Sequence, residues 1–429
     1  VTPQARLETW LLWAGLCVSL LAGAAAQAML AWLPGEFTQH WFRRGPVLLA
    51  VHLSTLGLLA TLVLGVLTQF LPMLLGRALG SALLAGVCLG LFAASALGLW
   101  MGFAVGFSSA GAWAAGLGLL ASAGGFLALA APALLGGDAS HRLSRWTLAS
   151  SLACLVLEAA LGTLLAQGLV RAPLLPQEPL RLLALHAHLG LFGFGALVVF
   201  AVSYELLPMF NLAKGYPTWP GWAALGLAWA GLGSLALWAL LGWLPLGLWA
   251  GLLALSGLSY LVQLAWILSK ALRPQHEAAT QLFRLAGVAL LAAVIGGLWL
   301  ACGDAPAPGP LAAYVYLLLY GFLGSAIFSQ IQKIVPLLAW VDRFAPWVGK
   351  ASVPTAGQLL DARLAWALVP LHALALACGG VGLAMGSAAL IRAAGILGLL
   401  CFLDCAGLVL VCRLKGRARP PASPPVPAR

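Results

Sequence analysis

Long apolar runs separated by short polar loops follow one another from about residue 10 to about residue 412. No aqueous core can take them up. Hydrophobic residues make up 62% of the 429, charged residues 8%, and mean hydropathy is +1.01. A chain of that composition needs lipid as its solvent. A helical crossing takes about 20 apolar residues, so there is length for about a dozen. The runs are continuous and rich in Leu and Ala rather than alternating, and a helix closes its own backbone hydrogen bonds in hydrocarbon. Spans are predicted near 10–33, 47–75, 80–106, 111–136, 146–170, 182–212, 221–244, 247–269, 285–302, 311–340, 364–386 and 390–412. The expected fold is an all-α integral membrane domain over residues 1–413. The basic, proline-rich residues 414–429 are expected to be a disordered tail against the membrane surface.

The net charge of +11 raises the question of nucleic acid, and its distribution answers it. With those spans, sixteen Lys and Arg fall on the side of the N-terminus, and only Arg43, Arg44, Arg171, Arg181 and Arg392 fall on the other. That is the asymmetry of a membrane protein with both termini cytoplasmic, not a nucleic-acid surface. The first span lacks a basic leader and reads as an ordinary crossing. Trp41, Trp219, Trp222 and Trp347 suit interfacial anchors. The eight cysteines lie mostly within spans, so no disulfide framework is expected. Cys401 and Cys405 lie one turn apart beside Asp404, a spacing open to a soft metal, although Cys in a helix is ordinarily a small apolar packer.

A repeat runs through the chain. His52 is followed by Gly57, Gly65 and Pro72; His188 by Gly193, Ala201 and Pro208; Tyr316 by Gly321, Ser329 and Pro336. Each time glycine comes five residues on, a small residue thirteen on and proline twenty on. The three segments are the second, sixth and tenth spans, which divides the domain into repeats of roughly 1–137, 138–273 and 274–413. Small residues allow close helix approach in membranes. These spans are therefore expected to be the inner helices of three four-helix arcs with pseudo-threefold symmetry. Seventeen residues after each start come Gln69, Glu205 and Lys333. A lone charge in a span is costly, so a buried cluster is expected in which Lys333 neutralises Glu205 and Gln69 adds hydrogen bonds. Such a cluster ties helices together or relays protons or ions.

Of seven histidines, His40, His141 and His276 fall in predicted loops, and His52, His186, His188 and His372 in spans. Neutral imidazole in hydrocarbon needs a hydrogen-bond partner or a metal. His186 and His188 project about 200° apart around a helix, so they address two different grooves. His52 is placed to meet one of them between the second and sixth spans.

The run LHAHLGLFGFGALVVFAVSYELLPMF (185–210) resembles the tenth helix of the large subunit of heme–copper oxidases and, most closely, of nitric oxide reductases. His188, Gly193, Tyr204 and Pro208 fall on that pattern, with Tyr204 displaced by one residue. The run QFLPMLLGRALG (69–80) resembles the end of that family's second helix, and His52 lies upstream of it as the family's heme-ligating histidine does. Twelve helices in three arcs is also the family's architecture. The resemblance implies b-type heme, one or two, with His52 as one ligand and His186 or His188 as another. It also implies the cytoplasmic membrane of a bacterium or archaeon, and a cytochrome or quinol as electron donor. The sequence departs from the family as well. The predicted seventh span has no histidine, and the tenth carries Tyr314 and Tyr316 where the family has its histidine pair. The ligands are shifted by one repeat, and no site for a second metal (copper or non-heme iron) is expected, nor oxygen reduction at a binuclear centre. Tyr316 is an alternative axial ligand.

Three functions are thus in view. The first is a heme protein that carries electrons or binds a small gas near the extracytoplasmic face. The second is a cofactor-free assembly or structural subunit of a respiratory complex. The third is a secondary transporter, which the four-helix period disfavours because such proteins are usually built from two halves or inverted repeats.

Overall fold

The computed structural model describes residues 3–38, 44–75, 79–136, 139–171, 173–272, 276–303 and 308–416. Among the described residues there is no strand, and twelve helices are long and apolar enough to cross a membrane. They are α1 (Trp10–Trp32), α2 (Gly45–Pro72), α3 (Ala82–Val105), α4 (Ser109–Leu135), α5 (Arg142–Gly168) and α6 (Pro179–Asn211). The others are α7 (Trp219–Leu241), α8 (Leu246–Ser269), α9 (Ala278–Cys302), α10 (Pro308–Arg343), α11 (Ala362–Met385) and α12 (Ala388–Gly416). Each predicted span is present. α9 begins earlier than its hydropathy suggested, because Thr280, Gln281 and Arg284 extend the helix past the apolar run. Trp219, Trp222 and Trp347 are exposed, as interfacial anchors would be. His40, Trp41 and the tail beyond Gly416 lie outside the described residues.

The helices sort into inner and outer. The central windows of α2, α6 and α10 are 67%, 67% and 78% buried, against at most 56% for any other span. Around them, α4 packs on α3 and α5, α8 on α7 and α9, and α12 on α11 and α1. The same neighbour relation thus recurs every four helices.

Two features explain the sequence repeat. Each inner helix widens into a π-helical segment directly after its repeat start: Leu53–Ala60 after His52, Leu189–Ala196 after His188, and Leu317–Gly324 after Tyr316. These three segments touch one another in pairs. The glycine five residues on then lets each inner helix press against the helix before it. A Cβ on Gly57 would lie 2.4 Å from Cβ of Ala22 on α1, one on Gly193 2.8 Å from Sγ of Cys154 on α5, and one on Gly321 2.8 Å from Cβ of Ala289 on α9. The position thirteen on continues the same face. Gly65 approaches Gly15 of α1, and Ser329 Oγ donates to the Ala279 carbonyl of α9 at 2.7 Å.

Enlarging one of these glycines forces the backbones apart or a side chain off its rotamer. Gly193→Val is expected to destabilise the protein by about 1–3 kcal/mol. Gly233→Ala, at an exposed position inside α7 with nothing within 4 Å of the added Cβ, is expected to leave stability unchanged or raise it by up to about 1 kcal/mol. Thermal unfolding of the two purified variants beside wild type checks both.

Candidate functional site

His52 is the last residue of α2 before its π segment. Its Nδ1 lies 2.7 Å from the Leu48 carbonyl, which fixes Nδ1 as the protonated nitrogen and leaves Nε2 with a free lone pair. Phe103 of α3 backs the ring, centroids 4.7 Å apart. Across the groove stands His186 of α6, whose ring centroid is 6.3 Å from that of His52 with the two planes 23° apart. Gly162 of α5 makes room for it, since a Cβ there would lie 2.9 Å from the His186 Cε1. The His186 Nδ1 is buried without a hydrogen-bond partner.

Both imidazoles line a cavity of about 500 Å³ between α2, α3, α4, α5 and α6, within the size range of cofactor sites. Its walls are largely apolar, with Phe92, Leu99 and Phe103 from α3 and Leu119 from α4. Glu158 of α5 supplies a carboxylate. It is 9% exposed, and no ion pair holds it among the described residues. Sequence reasoning overlooked this group, although a solitary acid in the middle of an apolar span is itself a signal.

The centroid separation can be compared with that of two imidazoles on a shared metal ion. Two imidazoles on one metal ion, with metal–nitrogen bonds of about 2 Å and rings of about 1.2 Å radius, have centroids about 6.4 Å apart. Among the described residues no group of three His, Cys, Asp or Glu is placed to hold a metal ion. A metal held by His52 and His186 would draw its remaining donors from a macrocycle, as iron does from porphyrin.

His188 points into the next groove, as the 200° rotation requires. Its Nδ1 donates to the Ala184 carbonyl at 2.8 Å, and its Nε2 accepts from the Tyr314 hydroxyl of α10 at 3.2 Å. Trp249 of α8 packs edge-on against the ring at 5.1 Å. The structure therefore brings His52 together with His186, and sets His188 with Tyr314. Tyr316 lies in the third groove, where its hydroxyl donates to the Ala375 carbonyl at 3.1 Å and its ring meets Tyr320 at 5.0 Å. The Tyr320 hydroxyl in turn bonds Ser54 of α2. His372 is a core histidine, its Nε2 2.9 Å from Ser325 Oγ. Cys401 and Cys405 are buried and unbridged.

The expected Gln69–Glu205–Lys333 cluster takes a different form. Glu205 accepts from His141 at 2.9 Å and from Ser144, at the start of α5. Lys333 pairs with Glu277, at the start of α9. The Gln69 Nε2 has no hydrogen-bond partner. Tyr216, in the loop after α6, has its phenol held above the ordinary range by burial and by the Glu205 carboxylate.

No protein-family model matches the chain, and no curated protein matches it either.

With Glu205 and Lys333 bound to separate partners, Glu205→Gln and Lys333→Gln are expected to change stability additively, within about 0.5 kcal/mol. A double-mutant cycle on thermal or denaturant unfolding measures this. A coupling well above that value would restore the direct pair.

Proposed function

We propose that the groove between α2 and α6 binds one b-type heme and that the protein is a membrane electron carrier, built on the three-arc scaffold of oxidase and nitric oxide reductase large subunits. The observation that carries this reading is the pair of imidazoles on facing helices, 6.3 Å apart at the wall of a cofactor-sized cavity. A heme held by His52 and His186 would supply one-electron chemistry at a potential set by its ligands and surroundings.

The chain's own residues do the rest. The Leu48 carbonyl holds His52 in one tautomer and orientation, a second interaction that raises ligand basicity. Gly162 leaves the space that His186 occupies. Phe92, Leu99 and Leu119 make the cavity's inner walls apolar, which would lower the local dielectric and so tune the potential. With both His52 and His186 committed to holding the group, electron transfer would be preferred over gas binding. The site lies toward the face opposite the N-terminus, which the distribution of basic residues makes extracytoplasmic. His188 bonds Tyr314 and Tyr316 bonds the Ala375 carbonyl, so both act as helix ties.

The reading is tested by the reduced-minus-oxidised absorption difference of the purified protein. Wild type should show Soret and α bands of a six-coordinate b heme. His52→Ala and His186→Ala should each abolish six-coordination or lose the heme, while His188→Ala retains the spectrum. A wild-type preparation without heme bands would overturn the proposal and leave a cofactor-free subunit as the reading. Gly162→Val, which pushes His186 out of its place, is expected to lower heme content to the level of His186→Ala, measured by pyridine hemochrome.

A further inference from the structure

A second cavity, of about 320 Å³, lies at the ends of α1, α10 and α12 on the face of the N-terminus. Trp13, Ala339, Asp342, Arg343, Arg413 and Gly416 form its walls. Two guanidinium groups there face one carboxylate. Arg413 lies over the Trp13 ring, 4.6 Å from its centroid, and the Trp13 indole N–H points to Asp342 at 3.5 Å. Trp13 is 9% exposed, so the ring forms a fixed apolar floor rather than a mobile lid. Lys333 is held by Glu277 and Arg142 lies against Trp222. Arg343 lines the same space as Arg413, so two guanidinium charges stand there against the single carboxylate of Asp342.

We infer that this cavity seats the phosphate of an anionic phospholipid from the surrounding leaflet. Guanidinium groups grip phosphate by paired charge-assisted hydrogen bonds. A basic pocket between helix ends on the positively charged side of a membrane protein stands at headgroup depth, where acidic lipids are enriched. The Trp13 floor and the helix flanks beside it suit the glycerol and upper acyl carbons. This site is independent of whether the α2–α6 groove binds heme.

The test uses the full-length protein in nanodiscs of phosphatidylcholine, with spin-labelled phosphatidylglycerol as the probe and spin-labelled phosphatidylcholine as its neutral reference. Wild type should retain the anionic label preferentially. Removing both charges with Arg343→Gln and Arg413→Gln should weaken that preference about thirty-fold. Lys214→Gln with Lys270→Gln, which takes the same charge from elsewhere on this face, should leave most of it. Arg343→Lys with Arg413→Lys, which keeps the charge but not the forked geometry, should fall between. Equal losses in the Gln and control pairs would overturn the site in favour of diffuse attraction. Displacement of the label by inorganic phosphate in the millimolar range would assign the pocket to free phosphate and overturn the lipid. Absence of any preference in wild type would overturn the proposal whatever the variants do.

Discussion

Inside hydrocarbon, a backbone carbonyl without a partner costs several kcal/mol, so every irregularity in a helix must be answered by a nearby donor. The three π-helical segments are such irregularities, and they sit where the inner helices meet. Hydroxyl groups answer the first two. Thr61 donates to the Leu56 carbonyl at 2.8 Å, and Ser151 of α5 donates to that of Phe194 at 2.8 Å. π-helical turns are uncommon and gather at functional sites. Here each one follows the residue that begins its repeat, so the backbone widens just beyond His52, His188 and Tyr316.

What the sequence made legible follows from the same chemistry. The spans could be read because lipid tolerates no mixture of polar and apolar along a crossing. The repeat could be read because close helix packing demands small residues at fixed positions, and Gly57, Gly193 and Gly321 meet that demand against α1, α5 and α9 in turn. The convergence of Glu205 and Lys333 was misjudged for a reason now visible. A residue seventeen positions on lies one turn beyond the small residue at thirteen, on the same face. That face looks toward the preceding helix rather than toward a common axis, so Glu205 reaches the start of α5 and Lys333 the start of α9. Equivalent positions in a repeat point equivalently, which is a reason for charges to stand apart.

The histidine pairing was half legible. Two residues apart on one helix fixed that His186 and His188 serve different grooves. Which of them faces His52 depends on how α6 is rotated, and contacts with α5 help to set that rotation: Gly193 on Cys154, Gly162 under His186, Glu158 against Gly190. The α5 side of these contacts lies outside the local sequence around the histidines. The sequence left open which of the two meets His52, and packing brings His186 to it.

Three grooves separate the three inner helices, and their contents differ in kind. Between α6 and α10, His188, Tyr314 and Trp249 close on one another. Between α10 and α2, Tyr316, Tyr320 and Ser54 do the same, and the remaining space is about 50 Å³. Between α2 and α6 the polar side chains do not reach each other, and about 500 Å³ is left between the helices around them. Hydrogen-bonded aromatic and polar side chains close the two neighbouring grooves. A cavity kept open at one of three equivalent positions, with two imidazoles and a carboxylate on its walls, costs dispersion contacts and leaves polar atoms unsatisfied. The proposed heme would offset that cost, and this asymmetry is what favours the α2–α6 groove for it.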